Sequence, residues 1–284
     1  MCIFIFTFYS LFEMSRVLFA KETRSVPFKG AKVRYDSYGT GDHALVFIHG
    51  WTCNRALWQP QEPLYTKYRS IVLDLPGHGE SEAPLGVDYN HEFLARAANA
   101  ILEQENVEHA VLIGHSLGGP IATMILRLFP EKVSGIFYVD SFWDISQAYV
   151  SIEERRKLRE KLHDDPFFLD YIDYLFVDKN DPNGSIRKTV TDVMAGTPTH
   201  VRVSAVTTDS VPHQWRYDDV RDIPAFHIVT PVFSNIDKQW VQHVPQLRTE
   251  VWEGQGHFLF MEVPERFNNA VDQFLVDNGL LQVA

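Results

Sequence analysis

One serine, Ser116, stands in the hexapeptide G-H-S-L-G-G (114–119), with an apolar run before it and a helical run after it. A serine hydroxyl attacks a carbonyl only when a base takes its proton and the oxygen stands clear of the main chain. A sharp strand-to-helix turn presents the oxygen in this way, and it brings strand and helix so close that the flanking positions must be small. Gly114, Gly118 and Gly119 meet that requirement. The turn also puts the Leu117 amide at the start of a helix, where an N–H and the helix dipole can stabilise a developing oxyanion. The chemistry expected is acyl transfer through a covalent intermediate on Ser116. That chemistry needs two further groups, a histidine base and a carboxylate that fixes the tautomer of the base.

The elements that must position these groups alternate along the chain. Residues 44–50, 70–77, 110–114, 134–140 and 225–230 are short continuous apolar runs, the mark of strands buried on both faces. Residues 31–39 and 248–254 alternate as half-buried strands do. Between them, residues 91–105 carry an apolar stripe at helical spacing, 120–129 are apolar nearly all round, and 264–279 open on Pro264 and stop at Gly279. Strands alternating with helices predict an α/β fold, a mostly parallel central sheet flanked by helices. From 141 to 222 no buried strand is visible. The stretches 151–162, 166–177 and 185–196 read there as helices, an aromatic-rich insertion after a core strand.

Composition narrows the function classes. With 26 basic and 37 acidic residues the net charge is −11, which opposes a nucleic-acid footprint and attraction to anionic membranes. The 284 residues suffice for one large domain carrying an insertion. Two cysteines, Cys2 and Cys53, make neither a disulfide framework nor a zinc cluster, and no metal or organic cofactor is implied. Residues 1–20 hold an apolar run too short for a stable membrane span. It reads as a signal segment or a mis-assigned start, and on that choice the compartment is cytoplasmic or secreted.

Four motifs, 47–58 (FIHGWTCNRALW), 72–81 (VLDLPGHGES), 114–119 (GHSLGG) and 253–267 (EGQGHFLFMEVPERF), make the chain resemble the α/β-hydrolase superfamily over roughly 26–281. The resemblance implies an α/β-hydrolase core over 21–140 and 223–284, with 141–222 as a helical cap (lid) inserted after the sixth strand. It implies that the Trp51 amide is the second oxyanion donor beside Leu117, and that His257 is the general base. His257 has local support as well, since the glycines of E-G-Q-G let its loop fold close to the site. The family usually places the acid after the seventh strand, where 230–240 offers only Asp237, twenty residues before His257. A subset places it after the sixth strand, where Asp140 ends the run 134–140. Asp140 is the preferred acid, with Asp237 as the alternative and Asp144 as a further one. His49 and His115 flank the motifs, and the resemblance implies that they are supporting rather than catalytic.

His49, Phe142 and Trp143, together with Trp51 and aromatics of the cap such as Phe167, Phe168, Tyr171, Tyr174 and Phe176, are expected at an apolar substrate pocket. The expected partner is a small-to-medium hydrophobic carboxylic ester or lactone. Thioester or carbon–carbon bond hydrolysis by the same groups, and a receptor-like member with little turnover, are the alternatives. An aspartate-nucleophile chemistry is disfavoured because the elbow residue is Ser116. Oligomeric state is not legible.

Overall fold

The computed structural model describes residues 20–143, 152–175, 181–206, 219–234 and 242–281. Asp144, Phe176, Asp237 and the first 19 residues, Cys2 among them, lie outside the described residues. Eight strands form a single sheet: β1 (Lys21–Phe28), β2 (Ala31–Tyr38), β3 (His43–Ile48), β4 (Ser70–Leu73), β5 (His109–His115), β6 (Val133–Val139), β7 (Ala225–Val229) and β8 (Leu247–Val251). Their order is β1-β2-β4-β3-β5-β6-β7-β8. Pairing is antiparallel at β1–β2 and β2–β4 and parallel everywhere else.

The apolar runs lie where two-sided burial demands them. Every residue of β4 is buried, and so is every residue of β3 and β5 after the first. Alternate side chains serve opposite faces. Val46, Ile48, Leu112 and Ile136 pack on one side, against Leu94, Ile101, Ile121 and Ile125. Leu45, Phe47, Ile113 and Phe137 pack on the other, against Trp58, Phe267, Val271 and Phe274. β1, which lacks a clear apolar pattern, was not anticipated. It is the exposed outer arm of a hairpin whose turn, Lys29–Gly30, has positive φ at both residues, as a two-residue hairpin loop requires.

The helices are α1 (Glu62–Tyr65), α2 (His91–Gln104), α3 (Gly118–Leu128), α4 (Ile152–Lys161), α5 (Asp165–Leu175), α6 (Ser185–Ala195), α7 (Thr199–Ser204), α8 (Leu259–Glu262) and α9 (Pro264–Asn278). Asn90 caps α2, its side-chain oxygen accepting from the Phe93 amide at 2.9 Å. α3 opens at Gly118, two residues before the apolar stretch 120–129, so the helix starts immediately behind the serine turn. The sequence between β6 and β7 carries α4 to α7; the short α7 was not predicted. Among the described residues, no helix is long and apolar enough to cross a membrane.

Candidate active site

β5 delivers its chain into α3 through a single strained residue. Ser116 has φ 51°, a left-handed conformation that non-glycine residues seldom adopt and that marks a local constraint. Its amide donates to the Val139 carbonyl of the neighbouring strand at 3.0 Å, and its carbonyl accepts from the Gly119 amide at 3.0 Å and from the Ser141 hydroxyl. The glycines are there for space. A methyl group on Gly114 would sit 2.5 Å from the Gly118 carbonyl oxygen. One on Gly118 would strike the Ile48 carbonyl, and one on Gly119 would overlap the Ser141 hydroxyl. Leu117 occupies the N-cap position of α3, so its amide lies at the end of the helix where N–H groups lack intrahelical partners.

Asp140 follows β6, the strand beside β5, and is itself held at φ 42°. Its amide donates to the Ile228 carbonyl at 2.7 Å. Its carboxylate is fully buried, with each oxygen occupied: Oδ1 accepts from the Thr230 amide at 2.7 Å and the Thr230 hydroxyl at 2.8 Å, while Oδ2 pairs with His257 Nδ1 at 2.6 Å. With Oδ2 as acceptor, Nδ1 is the donor of this pair. The His257 loop is fixed from two directions. The Gly256 amide donates to both oxygens of Glu262, at 2.9 and 3.0 Å, and the His257 carbonyl accepts from His115 Nε2 at 3.0 Å. His115 is the residue immediately before Ser116, so the serine turn and the histidine loop are hydrogen-bonded neighbours. The Phe233 ring lies 5.6 Å from the His257 imidazole.

The loop after β3 meets the serine turn from the other side, since a methyl group on Gly50 would stand 3.1 Å from Ser116 Cβ. Trp51 follows, and its ring meets those of Phe168 and Tyr171 of α5 edge-on, at 5.6 and 6.1 Å. Phe142 is half-buried against the core. His49 and Trp143 are both buried. His49 Nδ1 donates to the Gly50 carbonyl at 2.8 Å and its Nε2 accepts from the Leu75 amide at 3.0 Å, so both nitrogens are spent on holding the loop. Burial lowers its pKa to about 4. Trp143 has no exposed surface: it stacks on His243 at 5.6 Å beneath the Arg127 guanidinium and packs the core rather than a pocket. Tyr174 of α5 is mostly exposed. Cys53 is buried, and that burial pushes its thiol far above the usual range.

Sequence reasoning assigned no role to Thr230 or Glu262. Thr230 could have been found from its place at the end of β7, beside the strand that delivers Asp140. Glu262 carried no local signal, because its target is a backbone amide six residues away. Among the described residues, no group of three or more His, Cys, Asp or Glu side chains is disposed to hold a metal ion.

Residues 43–174 match the family model of the alpha/beta hydrolase fold. A pimeloyl-[acyl-carrier protein] methyl ester esterase of Vibrio campbellii is 40% identical over 110 residues, 38% of this chain and 41% of that protein. The match therefore spans less than half the length of that relative. A putative 2-succinyl-6-hydroxy-2,4-cyclohexadiene-1-carboxylate synthase of Bacillus subtilis is 25% identical over 264 residues, 86% of this chain and 95% of that one. Among solved structures, an esterase from Exiguobacterium antarcticum superposes with a TM-score of 0.77 at 20% identity, covering 89% of this chain and 98% of its own. With its eight-stranded, mostly parallel sheet and the serine turn between β5 and α3, the chain has the alpha/beta hydrolase fold.

Proposed function

We propose that the protein hydrolyses a hydrophobic carboxylic ester or lactone through an acyl-enzyme on Ser116. The observation that carries this reading is the 2.6 Å pairing of His257 Nδ1 with the buried Asp140 carboxylate, on a loop hydrogen-bonded to the residue before Ser116. A neutral imidazole held in this tautomer turns a basic Nε2 outward. In the proposed reaction Nε2 takes the Ser116 proton as the oxygen attacks the carbonyl. The Trp51 and Leu117 amides receive the oxyanion of the tetrahedral intermediate. His257 then protonates the departing alcohol, and water, activated by the same nitrogen, releases the acid. Asp140 stays ionised and stabilises the imidazolium.

The apolar substrate is supported by Trp51, Phe168, Tyr171 and Phe233, which gather around the loops carrying Trp51 and His257. In this reading residues 141–222 are the cap and α5 supplies part of its inner face. The esterase described for the Vibrio relative agrees with it. A second reading, a non-hydrolytic reaction by the same residues, is favoured by the Bacillus relative named a synthase, which is matched nearly end to end.

The test is a burst of alcohol from a p-nitrophenyl ester together with covalent labelling of Ser116 by a fluorophosphonate. Ser116→Ala is expected to lower kcat on the order of 10⁶-fold. Ester turnover by that variant at the ordinary rate would overturn the proposal. A burst with no steady-state hydrolysis would transfer support to the second reading.

A further inference from the structure

The turn that carries Trp51 is strained and is held partly from outside the core. Thr52 has φ 56°, which is uncommon for any non-glycine residue and more so for a β-branched one. Such a conformation persists only where its surroundings over-determine it. From beneath, the Gly50 carbonyl accepts from His49 Nδ1 at 2.8 Å and from the Cys53 amide at 3.1 Å. From the segment between β6 and β7, the Thr197 hydroxyl donates to the Thr52 carbonyl at 3.0 Å, and the Arg202 carbonyl accepts from the Trp51 indole N–H at 2.9 Å. Both Thr52 and Thr197 are buried, so water does not compete for the bond between them.

Arg202 is in turn bound to the rest of the insertion. Its Nε donates to the Leu162 carbonyl at 2.7 Å, its guanidinium pairs with Asp165, and it lies 4.3 Å from the centre of the Phe168 ring. α7, the start of α5 and the end of α4 therefore bear on the Trp51–Thr52 turn as one body.

We infer that Thr197, with the Arg202 carbonyl, is a positioning element for the oxyanion site: docking of the insertion onto the turn sets the direction of the Trp51 amide. The inference rests on the serine-hydrolase reading above. Its consequence is that the insertion governs the rate of the chemical step and not only access to the site. A roof that merely admits substrate would act on KM. A group that aims an oxyanion donor acts on kcat, because the oxyanion exists only past the ground state.

The experiment compares wild type, Thr197→Val and Thr197→Ser in the full chain. It measures kcat and KM on p-nitrophenyl butyrate and the Ki of a trifluoromethyl ketone, whose adduct mimics the tetrahedral oxyanion. Complete removal of an oxyanion donor costs 10²–10³ in kcat, so a loosened donor is expected to cost about tenfold. Thr197→Val should lose about tenfold in kcat with KM within about twofold, and the ketone should weaken by a similar factor. Thr197→Ser, which keeps the hydroxyl, should recover most of both. If Thr197→Val melts without cooperativity, Thr197→Ala, which differs from Thr197→Ser by the hydroxyl alone, is expected to give the same kcat-selective loss. Unchanged kcat, or a rise in KM alone with unchanged Ki, would overturn the inference while leaving the serine mechanism intact. Failure of a fluorophosphonate to label Ser116 in the wild type would overturn both.

Discussion

Asp140→Asn should disable the base without unfolding the protein, and the hydrogen bonds around the carboxylate dictate how. Oδ1 accepts from both the amide and the hydroxyl of Thr230. An asparagine must place its carbonyl oxygen there, because an NH₂ group would meet a backbone donor. The NH₂ is then forced into the Oδ2 position, facing His257 Nδ1, where it can only donate. His257 answers by moving its proton to Nε2, which turns the base into a donor toward Ser116. In a hydrolytic triad a wrong tautomer of this kind lowers kcat by roughly 10⁴, about 5.5 kcal/mol in the barrier. The fold should survive, because size and the two Thr230 bonds are kept. The assay is steady-state hydrolysis of p-nitrophenyl butyrate beside a thermal melt. A variant that melts as the wild type does and keeps kcat within tenfold would refute the tautomer reasoning. If Asp237→Asn alone abolished turnover, the acid would have been misplaced.

Three further outcomes follow from the buried polar groups. Burial holds His49 at about 4 and His78 at about 3, and keeps His115 well below its ordinary value of 6.5. Unfolded imidazoles take up protons below about pH 6.5 while these do not, so the stability they supply is full above that pH. It drains away as the pH falls toward 4, by about 1.4 kcal/mol per pH unit for each histidine. Urea midpoints at pH 7, 6 and 5 measure this, and equal midpoints would contradict it. Glu105 is buried and receives Arg24, Arg69, Tyr35 and Ser37, tying β1 and β2 to the end of α2. Glu105→Ala leaves Arg69 buried without its carboxylate and should cost about 3–5 kcal/mol in chemical denaturation. Glu262→Ala frees the Gly256 amide and should slow turnover several-fold with little change in KM; Glu262→Gln, which keeps an acceptor, should restore most of it.

The parts of the fold that were legible are those whose cause is local. The runs at 44–50, 70–77 and 110–114 reveal buried strands because a strand covered on both faces cannot carry polar side chains on either. β1 escaped notice because its outer arm is exposed, so burial imposes no pattern on it. The serine turn was legible because close approach of β5 and α3 forbids side chains at Gly114, Gly118 and Gly119, a constraint written within six residues. The helix start behind the serine was legible from the same turn, which puts the Leu117 amide at a helix N-terminus, although the apolar stretch that marks the helix begins only at Pro120.

His49 and Trp143 show the opposite case, for their types fitted a pocket while their partners lay far along the chain. Leu75 fixes the first, and His243 with Arg127 encloses the second. The chain's order alone determined that a serine sits at a strained turn after an apolar strand, because sterics between neighbours require it. Only the tertiary structure decided that Asp140 meets His257 across 117 positions and that Thr197 and Arg202 reach the Trp51 turn. Hydrogen bonds act over about 3 Å, and sequence carries no record of which distant groups folding brings that close.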